Sequence, residues 1–211
     1  MKELHQEYDK LQLKYGSKDL NSVYGYGCDD SPNVALVFMN PTKRNIATNK
    51  SWRGIKAQWL GTKQIWDFLC KCGLFDDDLN NKIKMMKPKD WSIDFCKEVY
   101  ECVSNNSMWI TNLAKCSQDD ARELEDEIFL DYKDLLYKEL DMIRPKKILL
   151  FGNQVSSIVL NQKITVSTSR MKKYDLKIGN TSYETYAIFY PVGNGRFNQD
   201  KAIEDINKIL S

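Results

Sequence analysis

The chain has 211 residues, 42% hydrophobic and 11% aromatic, with a formal net charge of +2. That is enough apolar material for a sizeable core and predicts a single domain over 1–211, while so small a net charge names no partner by itself. The single histidine, His5, lies in the first predicted helix, far in sequence from the other motifs, and the six scattered cysteines lack Cys-x-x-Cys spacing. Neither a histidine-base mechanism nor a usual zinc site is therefore expected, and the thiols are expected to be reduced and mostly buried.

Residues 2–15 carry Leu4, Tyr8, Leu11 and Leu13 at roughly helical spacing and predict a capping helix. Gly16, Gly25, Gly27 and Pro32 mark 16–32 as loop. Val34 to Met39 is an apolar run that predicts a strand buried on both faces, ended by Asn40-Pro41. From Thr42 to Ile65 there are six cations and no acid. Residues 57–72 predict an amphipathic helix with Trp59, Leu60, Ile65, Trp66, Leu69 and Cys70 on one apolar face, which makes both tryptophans core residues. Four more lysines follow at 82, 84, 87 and 89. A helix over 91–103 precedes a second strand, Met108 to Leu113, that contains Thr111-Asn112. A long helix over about 119–142 starts with acids, as the macrodipole favours, and Pro145 breaks it. Lys147 to Phe151 is a third strand closed by Gly152, and 153–160 begins a helix. Residues 163–183 read as a β-ribbon or an irregular excursion. Tyr186 to Tyr190 is the last core strand, and 199–210 the final helix. This alternation predicts a three-layer α/β/α sandwich with a central, mostly parallel four-stranded sheet. The charged N-terminal stretch does not read as a secretory signal, and no segment approaches the ~18 apolar residues of a membrane span, so a cytoplasmic protein is expected.

Parallel strands place equivalent ends on one edge of the sheet. The turns at Asn40-Pro41-Thr42, at Asn112-Leu113-Ala114-Lys115 and at Tyr190-Pro191-Val192-Gly193-Asn194-Gly195-Arg196 should therefore converge on one crevice. An Asn amide offers donor and acceptor together and matches the edge of a base; an aromatic ring such as Trp52 can stack on that base. Gly193 and Gly195 let backbone approach a phosphate, and Arg196 can grip it. The acid-free loop carrying Lys43, Arg44 and Arg53 suits a polyanion.

These motifs resemble the uracil-DNA glycosylase superfamily. Phe38-Met39-Asn40-Pro41-Thr42 is similar to the first motif of that family, Gly-Met-Asn-Pro-Gly or Gly-Ile-Asn-Pro-Gly. Ser51-Trp52-Arg53-Gly54 falls where the thermostable type has Pro-Phe-Val-Gly, whose Phe stacks on uracil. Thr111-Asn112-Leu113-Ala114-Lys115-Cys116 matches the family's Thr-Asn-x-x-Lys-Cys, whose Asn reads the base edge, and 144–152 resembles the strand that ends in Leu-Gly. Tyr190-Pro191-Val192 with Arg196 keeps the frame of the second motif, His-Pro-Ser with a following Arg, but with Tyr for His and Val for Ser. Both glycines of the first motif are absent, and so are most of the iron–sulfur ligands: Cys116 matches one, while Asp131 stands about where a later one would be.

The resemblance implies a monomeric, monofunctional glycosylase that cleaves uracil or another deaminated base from DNA without metal, iron–sulfur cluster or other cofactor. Asn40 and Tyr190 would be catalytic; Met39, Pro41, Trp52 and Asn112 would bind the base. Lys43, Arg44, Arg53, Gly193, Asn194 and Arg196 would bind DNA. Each residue also has a plainer reading: Asn40 as a turn residue, Trp52 as core, Asn112 as a cap, Tyr190 as a packed strand residue, Arg196 as surface. The second function compatible with the sequence is a non-catalytic nucleic-acid or nucleotide-binding protein on the same scaffold. A nucleotide-processing enzyme finds no phosphate loop here.

Overall fold

Five consecutive apolar residues, Val34–Phe38, leave no polar face, so this strand needs side chains packed above and below it. A computed structural model describes residues 1–211 apart from the side chain of Asn194. In chain order it contains α1 (Lys2–Tyr15), β1 (Tyr26–Gly27), β2 (Val34–Phe38), α2 (Gln64–Lys71), α3 (Asp77–Met85), α4 (Ile93–Asn105), β3 (Met108–Asn112) and α5 (Asp126–Ile143). There follow β4 (Lys147–Phe151), α6 (Asn153–Val159), α7 (Val166–Ser169), β5 (Tyr174–Ile178), β6 (Thr181–Ile188) and α8 (Gln199–Leu210).

The sheet has six strands in the order β1-β3-β2-β4-β6-β5, not four. β3, β2, β4 and β6 run parallel, and they correspond to the four strands expected; β1 and β5 add antiparallel edges. Of 163–183, read as a β-ribbon or an irregular excursion, residues 174–183 belong to the β5–β6 hairpin, which runs on to Ile188, while 163–173 hold α7 and loop. The hairpin's two-residue Gly179-Asn180 turn needs the positive φ of 56° that Gly179 takes.

Period-two alternation sends Val34, Leu36, Phe38, Ile110, Leu149, Phe151 and Ile188 into one core, which α2, α3, α4 and α8 cover. Ala35, Val37, Trp109, Ile148 and Leu150 enter the opposite core, with α1, α5 and α6.

Local chemistry sets the helix limits. Asp76 accepts from Leu79 N at 2.7 Å and opens α3, a helix not foreseen in the lysine-rich stretch. Ser92 caps α4 through Phe95 N, and α5 stops at Arg144, which takes a left-handed φ of 51° before Pro145. Two expected helices are shorter than predicted. Residues 57–63 are not helical, because Trp59 and Gly61 hold φ at 62° and 82°. α5 begins at Asp126, so the acids from 119 to 125 lie in a loop. Among the described residues no helix is long and apolar enough to cross a membrane.

Candidate functional site

β2 lies between β3 and β4, so the chain leaves it in one direction along the sheet and later returns on its other side. That is the kind of switch point beside which open α/β sheets leave a crevice, outside the carboxyl ends of the strands. Phe38 and Asn112 are register partners at those ends. The pairing continues past them: Leu113 N donates to Phe38 O (2.7 Å), Ala114 N to Met39 O (3.0 Å) and Gln118 N to Pro41 O (3.0 Å). The segment that carries Asn40 is thereby tied alongside the one that carries Asn112.

Asn112 is 1% exposed, and its Oδ1 is sealed from solvent with no hydrogen-bond partner. It stands two residues beyond Ile110, on the Phe38 side of the sheet by alternation. A buried carbonyl without a donor costs stability, so it calls for an explanation. Asn40 is half-buried; its Nδ2 makes one long bond, to Pro41 O at 3.2 Å. Met39 packs against the opposite core, and Pro41 is buried.

The surroundings of Phe38 are aromatic. Its ring stacks on Phe151 at 4.3 Å and meets Trp59 (5.3 Å) and Tyr190 (6.1 Å) edge-on. Tyr190 is half-buried, burial pushes its phenol well above the usual value, and the hydroxyl has no protein partner among the described residues. The phenol therefore stays protonated and is a donor at any physiological pH. Trp52 packs half-buried on the same core, with its Nε1 donating to Ile55 O at 2.8 Å. Tyr190 lies beside Phe38, whose register partner is Asn112, and Asn40 follows Phe38 by two residues; Trp52 packs on the same core. Phe38 itself is fully buried among these rings. Two surface depressions of about 410 and 570 Å3 lie elsewhere, and neither includes these residues.

The turn after Tyr190 is tight. A Cβ on Gly195 would come within 2.0 Å of Tyr190 O, so only glycine fits there. Gly193 and Arg196 are exposed, and Phe197 beside them is 87% exposed. Asn194 lies outside the described residues as far as its side chain is concerned. Lys43, Arg44 and Arg53 are exposed, and none of the six cations from 43 to 63 is ion-paired among the described residues. The second lysine cluster differs: Lys82 pairs with Glu98 (3.0 Å) and Lys84 with Asp67 (2.6 Å). Among the described residues no three His, Cys, Asp or Glu side chains converge as a metal site.

Beneath Asn112, on the other face, lies a buried ion pair that sequence reasoning did not foresee. Lys115 is 0% and Glu139 1% exposed, with Nζ 2.8 Å from Oε2. Lys115 also donates to Thr111 Oγ1 (2.7 Å) and to the Asn112 carbonyl, while Tyr8 OH (2.6 Å) and Trp109 Nε1 (2.8 Å) donate to Glu139. Burial alone would push the Glu139 carboxyl up; the Lys115 charge and these donors outweigh it and hold it below the usual value. The available signal was Glu139 among Tyr132, Leu136, Leu140 and Ile143 on the apolar stripe of α5. Trp59, read as core, does pack against that core, edge-on to Phe38.

The chain matches no protein-family model and no curated protein.

Proposed function

We propose that this protein is a monofunctional, monomeric DNA glycosylase of the uracil-DNA glycosylase type. It would act in the cytoplasm, on a three-layer α/β/α scaffold built around the four parallel strands. The observation that carries this reading is the sealed, partnerless Oδ1 of Asn112 beside Asn40, at the carboxyl edge and close to an acid-free basic loop. A base must leave the duplex, or be single-stranded, before such a group can read it. In this mechanism Asn112 accepts from the base edge, and Asn40 orients the attacking water without acting as a strong base. The neutral Tyr190 hydroxyl donates to the base oxygen as negative charge develops there. Phe38 must turn aside from Asn112 to admit the base. Lys43, Arg44, Arg53 and Arg196 hold phosphates.

The test is base release from uracil-, hypoxanthine- and xanthine-containing oligonucleotides. The wild type should release at least one of them. Tyr190→Phe should slow release about 100- to 1000-fold, the cost of one oxyanion-type donor. Release no faster than that of an Asn40→Ala, Asn112→Ala double variant would refute the proposal.

The packing of Phe38 favours a second reading, a nucleic-acid binder that has lost catalysis. Salt-dependent DNA affinity with no base release supports that alternative.

A further inference from the structure

Two of the buried polar atoms without a partner border the same residue, Phe38. One is the acceptor Asn112 Oδ1, and the other is the donor Trp59 Nε1. Of the other four indoles, those of Trp52, Trp66 and Trp109 donate, to Ile55 O (2.8 Å), Trp59 O (3.2 Å) and Glu139 Oε1 (2.8 Å); that of Trp91 has no protein acceptor, but among the described residues only the Trp59 indole is both unpartnered and sealed from solvent.

Trp59 is also held in a backbone conformation that a bulky residue rarely adopts, with φ at 62°. Its carbonyl fixes it there by accepting from Thr62 N (3.1 Å), Thr62 Oγ1 (2.7 Å) and Trp66 Nε1 (3.2 Å). Strain that the surroundings over-determine is characteristic of binding positions. Here it sets the indole edge-on to Phe38, at 75° and 5.3 Å.

We propose that Trp59 is a second base-reading residue, which rests on the glycosylase reading above. The indole N–H donates to a ring carbonyl of the flipped base while Asn112 Oδ1 accepts from the ring N–H beside that carbonyl. The two orphans together demand a lactam, a C=O next to an N–H. Uracil, hypoxanthine and xanthine present one. Cytosine has no hydrogen on N3, and adenine has no carbonyl. The site therefore selects uracil over cytosine and hypoxanthine over adenine by hydrogen-bond polarity, while guanine carries the same lactam as xanthine and is not separated from it this way.

The experiment compares binding of two single-stranded oligonucleotides, one with a central 2′-fluorodeoxyuridine and one with 2′-fluorodeoxycytidine. The 2′-fluorine suppresses cleavage, so binding is read alone. Wild type should prefer the uracil strand, and Trp59→Phe should lose about 10-fold of that preference, the worth of one hydrogen bond. Affinity for the cytosine strand should not fall and is the reference for that loss; the melting temperature should drop modestly, because the smaller ring forfeits packing against Phe38 and the core. In the 15N spectrum of the wild type, the Trp59 indole proton should move downfield with the uracil strand only.

If wild type prefers uracil, Asn112→Ala abolishes the preference and Trp59→Phe keeps it, Trp59 is a packing residue and this inference falls while the base-reading site stands. If wild type shows no preference, both fall. Should the variant not fold, the wild-type indole resonance, recognised by its contacts to the Phe38 ring protons, decides alone.

Discussion

Phe38 decides most at the scale of single residues. It is fully buried, stacked on Phe151, and is the register partner of Asn112. Truncation to alanine removes a packed ring and leaves a cavity, which should cost about 3–5 kcal/mol in urea unfolding. The same change opens space beside the Asn112 carbonyl. On the glycosylase reading, Phe38→Ala should therefore bind the uracil strand at least as tightly as wild type despite its lower stability. Gly195 makes the converse case: Gly195→Ala forces a Cβ into the Tyr190 carbonyl, so the turn carrying Arg196 must shift. Weaker DNA binding with little loss of melting temperature is expected, since this turn lies at the surface.

At the scale of elements, α5 and β3 are joined by charge as well as by packing. Removing one partner of the Lys115–Glu139 pair strands the other in the core, so Glu139→Ala should lose about 3–5 kcal/mol. The pH dependence follows from the direction of the Glu139 shift. Its folded value lies below its unfolded value near 4.5, so the stabilisation is complete above that pH and is lost as pH falls through the folded value. Urea melts from pH 6 down to pH 3 should show that loss in wild type, and a shallower decline in Glu139→Gln. The element pattern was largely legible beforehand: β2 is a continuous apolar run, β3 and β4 carry three and four consecutive apolar residues, and α8 shows regular amphipathic spacing. The helix expected over 57–72 failed in its first turns because apolar spacing carries no information about φ at Trp59. The edge strands β1 and β5 were missed as sheet members because a two-residue strand and a hairpin arm exist only through their partners.

Across the whole molecule, charge and thiols are sorted by position. If Lys43, Arg44, Arg53 and Arg196 each meet one phosphate, log K for duplex DNA should fall against log salt with a slope of about −3.6. Removing any one of them should reduce that slope by about 0.9. Lys82 and Lys84 already have acidic partners, so replacing them should leave it unchanged. Burial pushes the thiols of Cys72 and Cys96 up to about 12 and that of Cys116 to about 11. A thiol reagent at pH 8 should therefore modify no more than the three half-buried cysteines, 28, 70 and 102, until the protein unfolds. The sequence by itself determined the α/β class and the mostly parallel sheet, because hydrophobic period is a local property of the chain. Only the tertiary structure decided that the sheet has six strands, that Phe38 fills the place beside Asn112, and that Trp59 and Asn112 keep an unanswered donor and acceptor. Whether a polar atom finds a partner depends on residues far apart in the chain, and no local pattern encodes that.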